Sequence, residues 1–145
     1  MRTLLFFITI FTTVALIGCG EGGLATVKVT GTVTLDGEPV GGASITFTPK
    51  TQGQGDPGYG TTDDQGVYQL QTSQGKADAG TTPGDYIVAI RKVEVDPNAP
   101  PPAPGYPART RSVIPAHYGQ TGNSLLTATV ENKRSNVIDF ALTSE

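Results

Sequence analysis

The chain contains no tryptophan, one cysteine (Cys19), one histidine (His117) and one methionine, the initiator. A single cysteine rules out an intrachain disulfide, so the fold must rest on a buried core. One histidine and no second thiol leave too few ligands for a zinc site. A catalytic triad needs a nucleophile, a base and an orienting group. Here His117 is accompanied by no Gly-x-Ser-x-Gly elbow and no phosphate-binding glycine loop. No catalytic residue, metal or cofactor is therefore assigned. Basic charge is also scarce, with 10 Lys and Arg against 13 Asp and Glu, for a net charge of −3. Nucleic-acid binding needs a basic patch, and electrostatic membrane attachment a polybasic run; the chain has neither. The longest apolar run, Leu4 to Ile17, is about fourteen residues, short of the roughly 18–20 needed to span a bilayer. No window of useful length carries helical periodicity.

What the chain has is turn residues, 19 Gly and 11 Pro, between short alternating segments. Val27, Val29, Gly31, Val33 and Leu35 share one face, and Lys28, Thr30, Thr32 and Thr34 the other. Period two with β-branched residues predicts a half-buried strand. Asp36-Gly37 is a hairpin turn signal. Ala43, Ile45 and Phe47 point inward in a second strand, ended by Pro49. Residues 50–60 and 73–83 read as polar loops, separated by a strand from Val67 to Thr72 with Tyr68 and Leu70 on one face. Pro83-Gly84 suits the centre of a type II turn before the strand Tyr86 to Val93. The last strands are Leu125 to Val130 and Val137 to Leu142, with Asn132 to Ser135 as the hairpin turn between them. Ile138, Phe140 and Leu142 should face inward, and Asp139 outward. Six or seven short strands predict an all-β sandwich.

Asp56, Asp63 and Asp64 supply the oxygen ligands calcium prefers, but not at EF-hand spacing, and Asx turns account for them as well. Lys28 and Asn136 sit where an isopeptide bond between first and last strands would form. Lys28, however, falls on the polar face, and no acidic residue falls at an inward position between them.

Two resemblances frame the chain. Met1 and Arg2, the apolar run and Leu16-Ile17-Gly18-Cys19 resemble a bacterial lipoprotein signal peptide with its lipobox. The resemblance implies cleavage after residue 18, lipid attachment at Cys19, palmitate included, and a tether over 19–25. The alternatives are an uncleaved anchor or an ordinary signal peptide with a chance cysteine. Gly20, where an Asp would retain the protein at the inner membrane, is similar to sorting to the periplasmic face of the outer membrane. Next, Val29-Thr30-Gly31-Thr32-Val33, Leu35-Asp36-Gly37-Glu38-Pro39, Thr62-Asp63-Asp64-Gln65-Gly66-Val67-Tyr68 and Pro83-Gly84-Asp85-Tyr86 together resemble carboxypeptidase regulatory-like domains. That family implies a Greek-key sandwich of about seven strands, transthyretin- and immunoglobulin-like, over residues 26–145. It is an accessory module without a conserved catalytic site.

These readings point to a non-catalytic, lipid-anchored envelope module that binds or scaffolds a protein or glycan, with no nucleic acid. The alternative is an accessory subunit of an envelope hydrolase or transport complex. The candidate recognition surface is the loop at 96–118. Residues 96–107 alone hold Pro97, Pro100, Pro101, Pro102, Pro104 and Pro107, which disfavour helix and central strand. Tyr106, Arg109, Arg111, His117 and Tyr118 add residue types enriched at binding hot spots. The competing reading is a spacer pinned to the sandwich by Ile114 and Tyr118.

Overall fold

The computed structural model describes residues 25–72, 80–122 and 124–145. The signal segment 1–18, Cys19 and the tether as far as residue 24 lie outside the described residues, as do 73–79 of the second polar loop. Along the described chain run β1 (Lys28–Leu35), β2 (Glu38–Pro39), β3 (Ser44–Pro49), β4 (Gly58–Thr61), β5 (Val67–Gln69) and β6 (Gln71–Thr72). Then follow β7 (Gly84–Arg91), β8 (Val93–Val95), β9 (Thr110–Ser112), β10 (Thr127–Val130), β11 (Ser135–Val137) and β12 (Phe140–Leu142). The one helical element among the described residues is a 3-10 turn, Ala116–Gly119.

The protein is an all-β sandwich. β1 is the axis of the first sheet. Along one edge it takes β11 and β12 in parallel, and along the other β2 and β5 in antiparallel. The second sheet is antiparallel throughout, in the order β10-β7-β3-β4-β6. Their inner faces close on one core. Phe47 from the second sheet lies at ring-centroid distances of 6.4 and 6.0 Å from Tyr68 and Phe140 of the first. The rings are tilted or edge-on, as their quadrupoles favour. Val33, Ile45, Phe47, Tyr86, Val88, Phe140 and Leu142, the inward set expected from alternation, are all buried.

The buried tyrosine hydroxyls are satisfied by the chain itself. Tyr86 donates to the Thr82 carbonyl at 2.7 Å, with the Thr82 hydroxyl 2.8 Å away. This is a tyrosine bonding back to the corner that precedes its strand. Tyr68 donates to the Ile138 carbonyl at 2.7 Å. Burial, and then the charge of Asp139, pushes the Tyr68 hydroxyl above its ordinary range.

That carbonyl belongs to a gap in the β1 ladder. β11 and β12 keep one register along β1, but at Ile138 and Asp139 the pairing is interrupted. The Asp139 carboxylate fills in, accepting from the Thr32 amide at 2.7 Å and the Thr32 hydroxyl at 2.8 Å. Gly31 is what lets the chains approach. A Cβ there would lie 1.8 Å from the Ile138 carbonyl oxygen.

The hairpin at Asp36-Gly37 forms as expected, with φ of 53° and 88° and Leu35 paired to Glu38. Asp63 forms an Asx turn, its carboxylate accepting from the amides of Gln65 and Val67 at 3.0 and 2.8 Å. Four expectations are corrected. Gly58–Thr61 is not loop but β4, paired with β3. Its inward positions are Gly58 and Gly60, where a Cβ would press on Leu70, Thr81 and the Gln69 carbonyl. The segment 67–72 is not one strand; it leaves the first sheet after Gln69 and joins the second at Gln71. Gly84 has φ 153° and already pairs with Val130, so Pro83-Gly84 is a strand entry rather than a type II turn. Residues 132–135 make no hairpin, because β10 and β11 lie in different sheets. The chain arches between them, and Asn136 seals the arch. Its side chain accepts from the Glu131 amide and donates to the Glu131 carbonyl, both at 3.0 Å. The Asn136 amide is thus committed to main chain, while Lys28 is exposed and lies opposite Ser135.

Candidate functional site

The segment expected as one loop, 96–118, is two structures. The first is an arm. β8 and β9 form a two-stranded ribbon outside both sheets, with Val93 opposite Ser112, Glu94 opposite Arg111 and Val95 opposite Thr110. The Asp96 amide bonds the Arg109 carbonyl at 2.9 Å and closes the neck of the proline-rich tip. Alternation puts Val93 and Val95 on one face of the ribbon, 65% and 63% exposed, and Glu94 with Arg111 on the other. Lys92 reaches Glu94 at 2.8 Å. The Lys92 ammonium, more than Arg111, holds the Glu94 carboxyl below its usual range.

The second structure is a foot. Ile114 is buried in the core, as the spacer reading expects. The 3-10 turn then lies against β7, where the Arg91 Nε–H donates to the Gly119 carbonyl. Tyr118 is half-buried against the core, and its hydroxyl accepts from the Thr143 amide at 3.3 Å. The His117 ring is exposed and sits 4.0 Å from that of Tyr118.

The five residues singled out from sequence are thus divided. Tyr106, Arg109 and Arg111 ride on the arm and are exposed; His117 and Tyr118 belong to the foot. No ring contact, hydrogen bond or ion pair joins the two sets among the described residues. Sequence reasoning missed Val93 and Val95. Their signal was a valine pair beyond Ile90 that falls out of phase with the inward alternation Tyr86, Val88, Ile90, whose next positions are Lys92 and Glu94. At the root of the arm a cavity of about 210 Å³ opens between Val93, Ser112, Ile114 and the 3-10 turn.

A cavity of about 480 Å³ lies at the opposite end of β7, between Gln54, Gly55, Thr82 and Asp85. No group of three or more His, Cys, Asp or Glu able to hold a metal ion occurs among the described residues. The main chain of Asp56 is tied to Thr81 and Thr82, and the carboxylate of Asp63 to its own turn. No helix among the described residues is long and apolar enough to cross a membrane.

No family model matches the chain. No curated protein matches it either. Among solved structures, a 9R-lipoxygenase from Cyanothece PCC8801 aligns with 82% of this chain at 16% identity and a TM-score of 0.40. The chain spans 16% of that enzyme's length.

Proposed function

We propose that this chain is a non-catalytic, lipid-anchored module of the bacterial cell envelope that holds another envelope component through its arm. The arm carries the reading. A ribbon with no buried residue persists only at a cost in backbone entropy, yet here its neck is closed and its tip is stiffened by six prolines. Such a tip loses little entropy when a partner orders it. It presents an exposed aromatic, Tyr106, two exposed arginines and an exposed valine face on a core that does not need them. Anchoring through Cys19 and the carboxypeptidase regulatory-like class rest on the sequence motifs. Two of the motifs that suggest that class, Asp36-Gly37 and Asp63 to Gly66, form turns.

Two experiments test the reading. Wild type should take up labelled palmitate and Cys19→Ala should not; equal labelling ends the lipid-anchor reading. The triple variant Tyr106→Ala, Arg109→Ala, Arg111→Ala alters exposed side chains alone and should melt like wild type. As crosslinking bait on envelope preparations it should lose the partner band that wild type captures. Equal capture would leave the arm a spacer.

A further inference from the structure

We propose that the outer face of the second sheet, β10-β7-β3-β4-β6, binds a neutral polysaccharide chain. This shares with the preceding reading only the idea that the module binds; the site is on the sandwich, away from the arm. Register places Gln71, Tyr59, Thr46 and Ala89 side by side on four neighbouring strands, β6, β4, β3 and β7. Thr61, Ser44 and Arg91 form the next row. With strands about 4.8 Å apart, the first row is a track of about 14 Å across the sheet.

The track is concave. A cavity of about 570 Å³ lies over Ser44, Thr46, Tyr59, Thr61 and Gln71. A second, of about 180 Å³, shares Ser44 and Thr46 with it and continues over Ala89 to Gly119 and Thr121 of the foot. Gln71 lies at one end of the row and the foot beyond the other, with Tyr59 the one large side chain between them and the short side chains of Thr46 and Ala89 leaving the floor low from Tyr59 to the foot. An extended ligand crossing the strands fits this shape.

The chemistry selects the ligand. Tyr59 is 45% exposed and makes no ring contact or side-chain hydrogen bond among the described residues. The hydroxyls of Ser44, Thr46 and Thr61 and the amide of Gln71 likewise have no side-chain partner there, so each can serve a ligand. The two cavities are lined by no carboxylate and one cation, Arg91, whose Nε–H is given to the Gly119 carbonyl. A nucleic acid or an acidic glycan would need several cations. A protein partner would need an apolar centre, and the track offers one ring and no large aliphatic side chain standing clear. What remains is a neutral polyhydroxylated chain. The apolar C–H face of a sugar lies on the Tyr59 ring, whose body is apolar and whose rim is wet. Its hydroxyls exchange hydrogen bonds with the Thr, Ser and Gln groups, which fix orientation.

Affinity electrophoresis of the full chain in detergent tests this, with amylopectin, laminarin, xylan and galactomannan as neutral probes and alginate as the anionic control. At least one neutral polymer should retard wild type, to the same extent in added salt. Tyr59→Ala should weaken retardation at least about tenfold, Gln71→Ala should weaken it less, and Tyr59→Phe should largely keep it. Both positions are on the surface, and unchanged melting verifies the fold. The proposal is overturned if no neutral polymer retards wild type, or if Tyr59→Ala migrates with it. It is also overturned if only alginate binds, or if the arm triple variant abolishes retardation while Tyr59→Ala keeps it. Retardation intact in the arm variant supports a site on the sheet separate from the arm; if that variant also keeps partner capture, the arm reading alone falls.

Discussion

The sandwich and the arm are both built from strands, and opposite forces hold them. In the sandwich, Val29, Val33, Phe47, Tyr68 and Tyr86 are sealed from water and their polar groups find partners inside. In the arm, β8 and β9 expose every residue, and what fixes them is three paired positions, the bond at the neck and the charges of Lys92, Glu94 and Arg111. Burial of an aliphatic or aromatic side chain stabilises by about 1.5–3 kcal/mol. An exposed ion pair contributes about 0–1 kcal/mol. The arm therefore draws on the sandwich for its place while adding little to its stability. It is free to change without unfolding the protein, the condition under which a segment can be given over to recognition.

Substitutions at the two places should separate most sharply at the β1 seam. Gly31→Ala puts a methyl 1.8 Å from the Ile138 oxygen and 2.9 Å from the Tyr68 ring. Neither neighbour can yield without parting β12 from β1. The loss should exceed about 4 kcal/mol, read as failure to fold or as an early midpoint in urea. A change below about 1 kcal/mol would show that the strands do not meet as described. Phe140→Ala comes next. Its ring touches the rings of both Phe47 and Tyr68, so the cavity left behind should cost about 3–5 kcal/mol.

Tyr68→Phe removes a hydroxyl and leaves the Ile138 carbonyl without its donor, at about 1–3 kcal/mol. It also carries a pH signature. The Tyr68 hydroxyl titrates higher in the folded chain than in the unfolded one, where the value is about 10. Above that pH the unfolded chain has lost a proton the folded chain still holds. The native state then binds more protons, and stability falls as pH rises. Urea midpoints at pH 8 and in the alkaline range should show the fall in wild type, and part of it should vanish in Tyr68→Phe. Equal slopes in the two proteins would mean the ring is not held in a dry site.

The same contrast explains what could be read in advance. Alternation located the inward residues of β1, β3, β7 and β12 because burial is what alternation records. It did not tell which sheet a strand joins. Tyr68, Leu70 and Thr72 are all buried although β5 and β6 lie in different sheets, since both sheets turn the same side of the chain toward one core. The arch from Val130 to Asn136 looked like a hairpin for the same reason. β4 was hidden because Gly58 and Gly60 occupy its inward positions, leaving no apolar beat to count. The ribbon was hidden because it buries nothing, and its partners are separated by the proline-rich tip. Tyr59 lies in a segment whose Gly, Gln, Pro and Asp content reads as loop, so the track across the second sheet leaves no mark in the sequence beyond an isolated aromatic among glycines.

The smallest effect should come from the arm itself. Val95 is a large apolar side chain in a strand, which in the sandwich would make it a core residue, yet it is 63% exposed and opposite Thr110. Val95→Thr keeps the β-branched shape that suits a strand and exchanges a methyl for a hydroxyl that water can serve. Its cost should stay within about 0.5 kcal/mol, the range of surface substitutions that break no specific feature. The same change at Val33, fully buried in β1, strands a hydroxyl in the core and should cost about 1–3 kcal/mol. Urea midpoints of the pair measure the comparison directly. If Val95→Thr costs as much as Val33→Thr, the arm folds down onto the sandwich in solution. It would then be a part of the core rather than a surface held out to a partner.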